Sequence, residues 1–499
     1  MSENIPENVR NANAGNLVND LKGNYTDHEL AKLFIKYHGI DLKYIPEWDR
    51  FAVWDGEIWV VEPQSRHYPK AKAILMRFIE KVYVDGFQLA GLKGSDRDAM
   101  DIIKFIRSIQ NGNRPKSILD FCKCLPGVSV SSDDFDANPM LIQLENCVIN
   151  LDSGHLIPFK VPKLDWIDSN VPEYLFDRKH LITKRCNVKY YEGKLEDSTW
   201  IRHLELIFDG DQELIEYMQK LCGYFLAGIT DECIMPIAFG DGANGKSVFW
   251  NTINGIMGDY SGTASSELIM PTREPNMHLQ AELYRKRAVF VGEPKAGRKI
   301  DDGKVKELTG DDVICCRRLY ENPWEFKPTH TFFCSSNHKP VINTQDEGIW
   351  RRVKLIPFTV NVQEALKEKG GADTKFMEKL QTEWPGIFKW MLQGWKKYRN
   401  HGLKDCQAII DATKEYRNEE NTFQMFIDEK LIPAEAHWIT QGDLNKLLRD
   451  NNMRIPKSQI RKTLESIPGV TYEKKLDEPR RNCMIYRGIG EPQSGFFSS

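Results

Sequence analysis

The 499-residue sequence has no uninterrupted apolar run of the roughly 18 residues that a bilayer-spanning helix needs, so no membrane association is expected. Its opening stretch, MSENIPENVRNANAGN, is polar and has no apolar signal segment, so a cytoplasmic setting is expected. Cysteine lacks any pattern. The eleven cysteines are odd in number and scattered, and only Cys122/Cys124 and Cys315/Cys316 stand close together. No CxxC pairs recur, which argues against zinc and for reduced thiols. Charge of one sign is also missing: the net charge is −3, so any surface for nucleic acid must be a local patch. Hydrophobic residues at 41% and charged residues at 28% are ordinary for a soluble globular chain, and the length suits about three domains.

What the sequence has is a glycine-rich stretch, FGDGANGKSVFW at 239–250. Gly240, Asp241, Gly242, Ala243, Asn244, Gly245, Lys246 and Ser247 satisfy G-x-x-x-x-G-K-[ST]. Small residues let successive backbone N–H groups curl around phosphate oxygens without Cβ clashes. Lys246 would reach the β- and γ-phosphates, Ser247 would ligate Mg²⁺, and the following helix N-terminus adds its positive dipole end. Context agrees. CIMPIAF before the loop is a buried-strand run, and Val248, Phe249, Trp250, Ile253, Ile256 and Met257 after it form an apolar helical stripe. Bound ATP with Mg²⁺ is the expectation.

Three later features stand at the edges of apolar strands. RKRAVFVGEP (285–294) ends on Glu293, which reads equally as a surface residue beside proline or as a carboxylate that polarises water and helps hold the metal. HTFFCSSN ends on Asn337, a turn residue or an amide that orients water against a γ-phosphate. DEGIWRRVKLIPF carries Arg351 and Arg352 into a fourth apolar run, as a solvated pair or as a finger offered to a neighbour's nucleotide.

Their joint order decides. At this point the chain resembles a superfamily 3 helicase of the phage and plasmid primase–helicase family, which has a poxvirus NTPase among its relatives. FGDGANGKS resembles that family's Walker A, VFVGEP its Walker B, KVKELTGDDVICCRRLY (304–320) the motif that follows, FFCSSNHKPVI motif C and DEGIWRRVKLIPF the closing Arg motif. FDANPMLIQLENCVINLDSGHL (135–156) and WIRHLELIFDGDQELIEYMQKLCGYFLAG (200–228) look like its helicase-associated region, so the likeness spans roughly residues 25–400. The resemblance implies that Lys246 and Ser247 bind phosphate and Mg²⁺, Glu293 activates water and Asn337 is the sensor. It makes Arg352 the finger, six residues before Phe358, with Arg351 as the alternative. One position departs: Gly292 stands where many P-loop ATPases carry an Asp before the catalytic Glu, which weakens the expected grip on metal. The same likeness implies a hairpin between DDVICCRRLY and WEFKPTHTFF that follows DNA in a ring's pore. Lys306, Arg317, Arg318, Tyr320 and Lys327 are its candidate contacts.

The chain ends follow other rules. Residues 1–24 are rich in Asn and Glu and are expected to be flexible, and YIPEWDRFAVWDGEIWVVE (44–62) signals a hairpin turning at Asp55-Gly56, its aromatics in the core. DDFD (133–136) suggests a primase metal site. The likeness assigns it instead to the helicase-associated region, and about 230 residues before the loop leave little room for a polymerase-type domain. Toward the other end, TFQMFIDEKLI, TQGDLNKLLRDNN and PKSQIRKTLES carry helical spacing, followed by two short strands, the parts of a winged helix. Nine Lys/Arg stand against four Asp/Glu between 454 and 487. Lys457, Gln459, Arg461 and Lys462 would line a recognition helix, with Lys474, Lys475, Arg480 and Arg481 on the wing, and protein docking is the competing use.

The expected architecture is α/β: an AAA+ type P-loop ATPase core with an N-terminal mixed α/β helicase-associated region and a C-terminal winged helix. Its divisions are 1–65, a flexible N-terminus and accessory hairpin; 66–195, the helicase-associated domain; 196–400, the superfamily 3 AAA+ domain; and 405–499, the winged helix. The expected function is ATP-dependent unwinding of DNA during replication of a phage, plasmid or other mobile element, as a homo-hexameric ring on single-stranded and forked DNA. A separate primase or replication protein would be its partner. Two alternatives stay open: an ATP-driven initiator on origin duplex that unwinds little, and a non-catalytic P-loop scaffold.

Overall fold

Capping decides where many of the helices begin. Thr26 accepts a hydrogen bond from the Glu29 amide at the head of α1 (Asp27–His38), and Ser198, Asp211 and Asp301 do the same for helices described below. The computed structural model describes residues 26–63, 68–92, 97–109, 113–158, 178–190, 198–272, 276–293, 299–319, 321–342, 346–367, 375–451, 453, 455, 457–465, 467–477 and 481–490. The chain divides into two units, residues 1–185 with 320–324, and residues 186–319 with 325–499.

In the first unit α1, α2 (Pro69–Leu92), α3 (Arg97–Ile109) and α4 (Arg114–Lys123) share one apolar core with an antiparallel sheet. Its strands are β1 (Leu42–Ile45), β2 (Arg50–Trp54) and β3 (Trp59–Val61), in that order. The expected hairpin is there: Asp55 accepts from the amides of Glu57 and Ile58, and Gly56 has φ +106°. Trp54 and Trp59 are buried, so its aromatics belong to the core. A second sheet pairs β4 (Leu141–Gln143), β5 (Cys147–Asn150) and β6 (Leu156–Pro158). Two of the DDFD acids have structural partners here. Asp134 closes a capping box with Ser131, and Asp136 accepts from Thr183. Residues 321–324 also lie in this unit, where Glu321 pairs with Arg50 and Trp324 meets Trp48 edge-on at 5.5 Å.

The second unit is built on a five-stranded parallel sheet: β7 (Met235–Phe239), β8 (Ser261–Ala264), β9 (Ala288–Val291), β12 (Thr331–Ser336) and β13 (Val353–Pro357). The spatial order is β13-β7-β12-β9-β8, and every neighbouring pair is parallel. Strands buried on both faces read as continuous apolar runs, as MPIAF and AVFV do. Helix α7 (Lys246–Met257) leaves β7 and fills the space over the sheet: Trp250 stacks on Phe290 at 4.9 Å and on Phe333 at 5.5 Å. Around it stand α5 (Thr199–Ile207), α6 (Gln212–Tyr224) and α10 (Phe376–His401). Helices α6 and α10 cross at two glycines. A Cβ on Gly394 would lie 1.9 Å from the Gln219 carbonyl, and one on Gly223 would lie 2.0 Å from the Trp395 nitrogen.

Short helices α8 (Asp302–Thr309) and α9 (Glu347–Arg352) flank the sheet, and β10 (Ile314–Cys316) pairs with β11 (Trp324–Phe326) as a small separate sheet. Helix α11 (Gln407–Lys430) runs along β13 and on into the C-terminal module, where Phe423, Phe426 and Ile427 join its core. That module holds α12 (Gln441–Asp450), α13 (Lys457–Glu465) and the antiparallel sheet β14 (Ile432–Thr440), β16 (Arg481–Gly490) and β15 (Thr471–Asp477), in the order β14-β16-β15. The sequence pattern gives two of these strands and places the first helix at TFQMFIDEKLI. The structure adds β14 and makes that segment the last part of α11. Among the described residues no helix is long and apolar enough to cross a membrane.

Candidate functional site

Sheet order gathers the site. Each of the three central strands runs directly into the site: β7 into Gly240, β12 into Asn337, and β9 into Gly292 and Glu293. Because β12 lies between β7 and β9, Asn337 stands between Lys246 and Glu293. The crevice beyond the carboxyl ends of a parallel sheet is where such folds hold ligands.

The loop is shaped by close approaches. A Cβ on Gly240 would sit 2.0 Å from the Phe358 carbonyl oxygen, and one on Gly245, at φ +85°, would sit 2.5 Å from Ile207 Cγ2. Ala243 also takes a positive φ, of 63°. Asn244 is buried and locks the loop, donating from Nδ2 to the Phe358 carbonyl at 3.2 Å. These two glycines and the Asn244 lock leave a backbone cradle followed at once by a helix N-terminus, which suits a phosphate group.

Inside the cradle Lys246 is 6% exposed and donates to the Gly240 carbonyl and, at 2.9 Å, to Asn337 Oδ1. Burial pulls its ammonium below the ordinary lysine pKa, while the charges of Glu293 and Asp241 pull it back up. Asn337 completes a relay. Its Nδ2 donates to Glu293 Oε2 at 3.1 Å and its backbone N–H to Glu293 Oε1 at 2.9 Å. The amide has one self-consistent orientation, because an ammonium only donates and a carboxylate only accepts. Glu293 and Ser247 are exposed at the mouth. Among the described residues no group of three or more His, Cys, Asp or Glu could hold a metal; the Ser247 hydroxyl and the Glu293 carboxylate are oxygen groups of the kind Mg²⁺ takes.

The arginine pair is split. Arg352 is half-buried and donates to Thr309 Oγ1 at 3.2 Å and to the Gly348 carbonyl at 2.9 Å, whereas Arg351 is exposed. Lys306 pairs with Asp346 at the head of α9, so its charge is engaged inside the domain. Arg317 and Lys327 are exposed and Arg318 is half-buried; Tyr320 lies outside the described residues. In the C-terminal module Lys457 is exposed, and Arg461 bonds Glu465 at 3.2 Å and lies 4.6 Å from the Tyr472 ring centre. Gln459 and Lys462 belong to α13, Lys474 and Lys475 pair in register with Met484 and Cys483, and Arg481 begins β16. Arg480 lies outside the described residues.

Sequence reading missed the walls of the site. His203, 3.2 Å from a Cβ on Gly245, is buried and held near pKa 4 by that burial. Lys339 was missed as well, and its spacing from the loop gives no signal that it would lie 5.3 Å from the ring centre of Phe239.

The fold and site thus define a mixed α/β protein with a glycine-rich strand–loop–helix on a parallel sheet. Residues 31–209 match the family described as D5 N terminal like, and residues 238–352 match a family of unknown function (DUF5906). The chain is 30% identical over 355 residues to "Putative helicase L207/L206" of Acanthamoeba polyphaga mimivirus, covering 68% of this chain and 35% of that one. It is 24% identical over 308 residues to "Putative helicase 022R" of Frog virus 3 (57% and 31%). To "Putative primase C962R" of an African swine fever virus isolate it is 22% identical over 327 residues (60% and 32%). The chain spans about a third of the length of these relatives. A solved apo structure of the NrS-1 C-terminal region aligns over 92% of this chain and 98% of its own at 12% identity, with a TM-score of 0.45. The chain belongs to the viral and phage primase–helicase family that carries the D5-type N-terminal region.

Proposed function

We propose that this chain is the ATP-hydrolysing helicase part of a replication protein, an AAA+ type P-loop core that translocates on single-stranded DNA as a hexameric ring. The observation that carries the reading is the Lys246–Asn337–Glu293 relay at the carboxyl ends of adjacent strands. Lys246 is buried where phosphate oxygens would replace its present acceptors, and Glu293 is exposed where it can take a proton from water. Asn337 touches both and reports on one to the other. Mg²⁺, when bound, neutralises charge developing on the phosphates; Ser247 and Glu293 would hold it. The strand order, with the sensor strand between the loop strand and the Glu strand, supports the AAA+ reading.

Arg351, exposed at the end of α9, is the arginine able to leave its own domain, so the finger of a neighbouring subunit is assigned to it, with Arg352 as its anchor. The C-terminal module, with α13 beside an antiparallel sheet and its local basic excess, supports a winged helix on duplex DNA. That excess also favours a second reading, an origin-binding initiator that unwinds little.

Strand displacement on a forked substrate tests both. ATP-dependent unwinding that is lost in Lys246→Ala is the expected result. ATP turnover without unwinding moves the protein to the initiator reading, and no turnover at all overturns the enzymatic one.

A further inference from the structure

The sensor loop and the arginine helix are held from outside the motifs by one helix, α11. Thr413 Oγ1 accepts from the Leu355 amide of β13 at 3.0 Å. Tyr416, fully buried, donates its hydroxyl to the Pro340 carbonyl, and its ring meets Trp350 of α9 edge-on at 5.2 Å. Arg417 pairs with Glu347 on α9. Glu419 pairs with Lys339 at 2.7 Å.

Lys339 is the crossing point of these contacts. It lies two residues beyond Asn337, and its ammonium sits 5.3 Å from the ring centre of Phe239, the residue before Gly240, and 5.8 Å from that of Tyr416. One side chain therefore touches the loop strand, the sensor segment and α11.

We propose that Lys339 and Glu419 are positioning residues, through which α11 sets Asn337 in line between Lys246 and Glu293. The proposal rests on reading those three residues as the NTPase site. A cation over two aromatic faces is attracted by both, and the carboxylate of Glu419 fixes how far along them it sits. Their effect would pass through the 337–340 segment and not through contact with nucleotide. A segment tied through its Pro340 carbonyl to Tyr416 and through its Lys339 ammonium to Glu419 has little room to shift. A shift of about 1 Å in a positioned group costs up to ~10² in rate while leaving ground-state binding nearly intact. The same helix ends in the C-terminal core, so the geometry of the site depends on a module remote in sequence.

The test uses the full chain carrying Lys339→Met, Glu419→Gln or Lys339→Arg, with steady-state ATPase, fluorescent-nucleotide binding and thermal melting. Lys339→Met and Glu419→Gln should each lower kcat about tenfold with KM and nucleotide Kd within about twofold, and Lys339→Arg should restore most of the rate. Melting midpoints within about 3 °C of wild type separate positioning from unfolding. Unchanged kcat in both variants overturns the proposal, as does a loss confined to KM or one that Lys339→Arg shares in full. Absence of ATPase in the wild type would instead sink the NTPase reading itself.

Discussion

Replacing Glu293 by glutamine swaps one acceptor oxygen for an NH₂ donor in a network that has no spare acceptor. In the wild type both carboxylate oxygens accept from Asn337, at 2.9 Å from its backbone N–H and 3.1 Å from its Nδ2, while Asn337 Oδ1 accepts from Lys246 at 2.9 Å. A glutamine that keeps its oxygen on the backbone N–H sets its NH₂ against the Asn337 NH₂. Turning Asn337 over relieves that clash and sets its NH₂ against Lys246, which only donates. One bond to a charged group is lost either way, about 1.5 kcal/mol at this exposed position. Phosphates that draw Lys246 away remove the conflict, so the loss falls on the nucleotide-free state. Affinity for ATP should therefore hold or tighten, by up to about tenfold. Hydrolysis should fall by about 10²–10⁴, the usual contribution of a general base. Titration with a fluorescent ATP analogue and a phosphate-release assay read the two effects separately. A glutamine variant that hydrolyses at the wild-type rate removes Glu293 from the chemistry. One that loses more than about tenfold in affinity refutes the relay.

Gly292→Asp should lower the Mg²⁺ concentration for half-maximal ATPase, because a Cβ there meets nothing within 4 Å and the new carboxylate would stand beside Glu293; an unchanged Mg²⁺ curve would remove the metal from that edge. Arg351→Ala and Glu293→Gln proteins, each inactive alone, should recover part of the ATPase when mixed, since a missing finger costs about 10³–10⁵. Failure to complement excludes a site shared between subunits, and if Arg352→Ala rather than Arg351→Ala kills turnover with unchanged melting, the finger is Arg352. Stability should fall on acidification below about pH 6.5. Burial holds His203 and His330 near pKa 4 against 6.5 unfolded, so the unfolded chain binds more protons between those values. Their contribution is whole above pH 6.5 and drains toward pH 4, at up to about 1.4 kcal/mol per pH unit each; equal denaturant midpoints at pH 7.5 and 5 would contradict neutral burial.

The loop, its helix and the strands on either side were legible because their demands are local. Gly240 and Gly245 are small where backbone or side chain crowds them, and apolar runs mark the buried strands. The family likeness supplied Glu293, Asn337 and the arginine pair as a set of candidates along the chain.

Their arrangement in space was decided by the tertiary structure. Nothing local to HTFFCSSN says that β12 lies between β7 and β9, and only that placement lets one amide bridge Lys246 and Glu293. The likeness favoured Arg352 by its spacing from Phe358; the fold shows that Thr309 and Gly348 hold Arg352 while Arg351 is left exposed. Nothing in the segment around Lys306 announces that Asp346, 40 residues on, stands opposite its ammonium. Lys339 gave no signal, since a lysine after a strand is common, and of α11 only the last part showed helical spacing. Sequence fixes what a residue can do within its own turn or strand. Which distant groups meet it depends on how sheets and helices pack, a property of the whole chain.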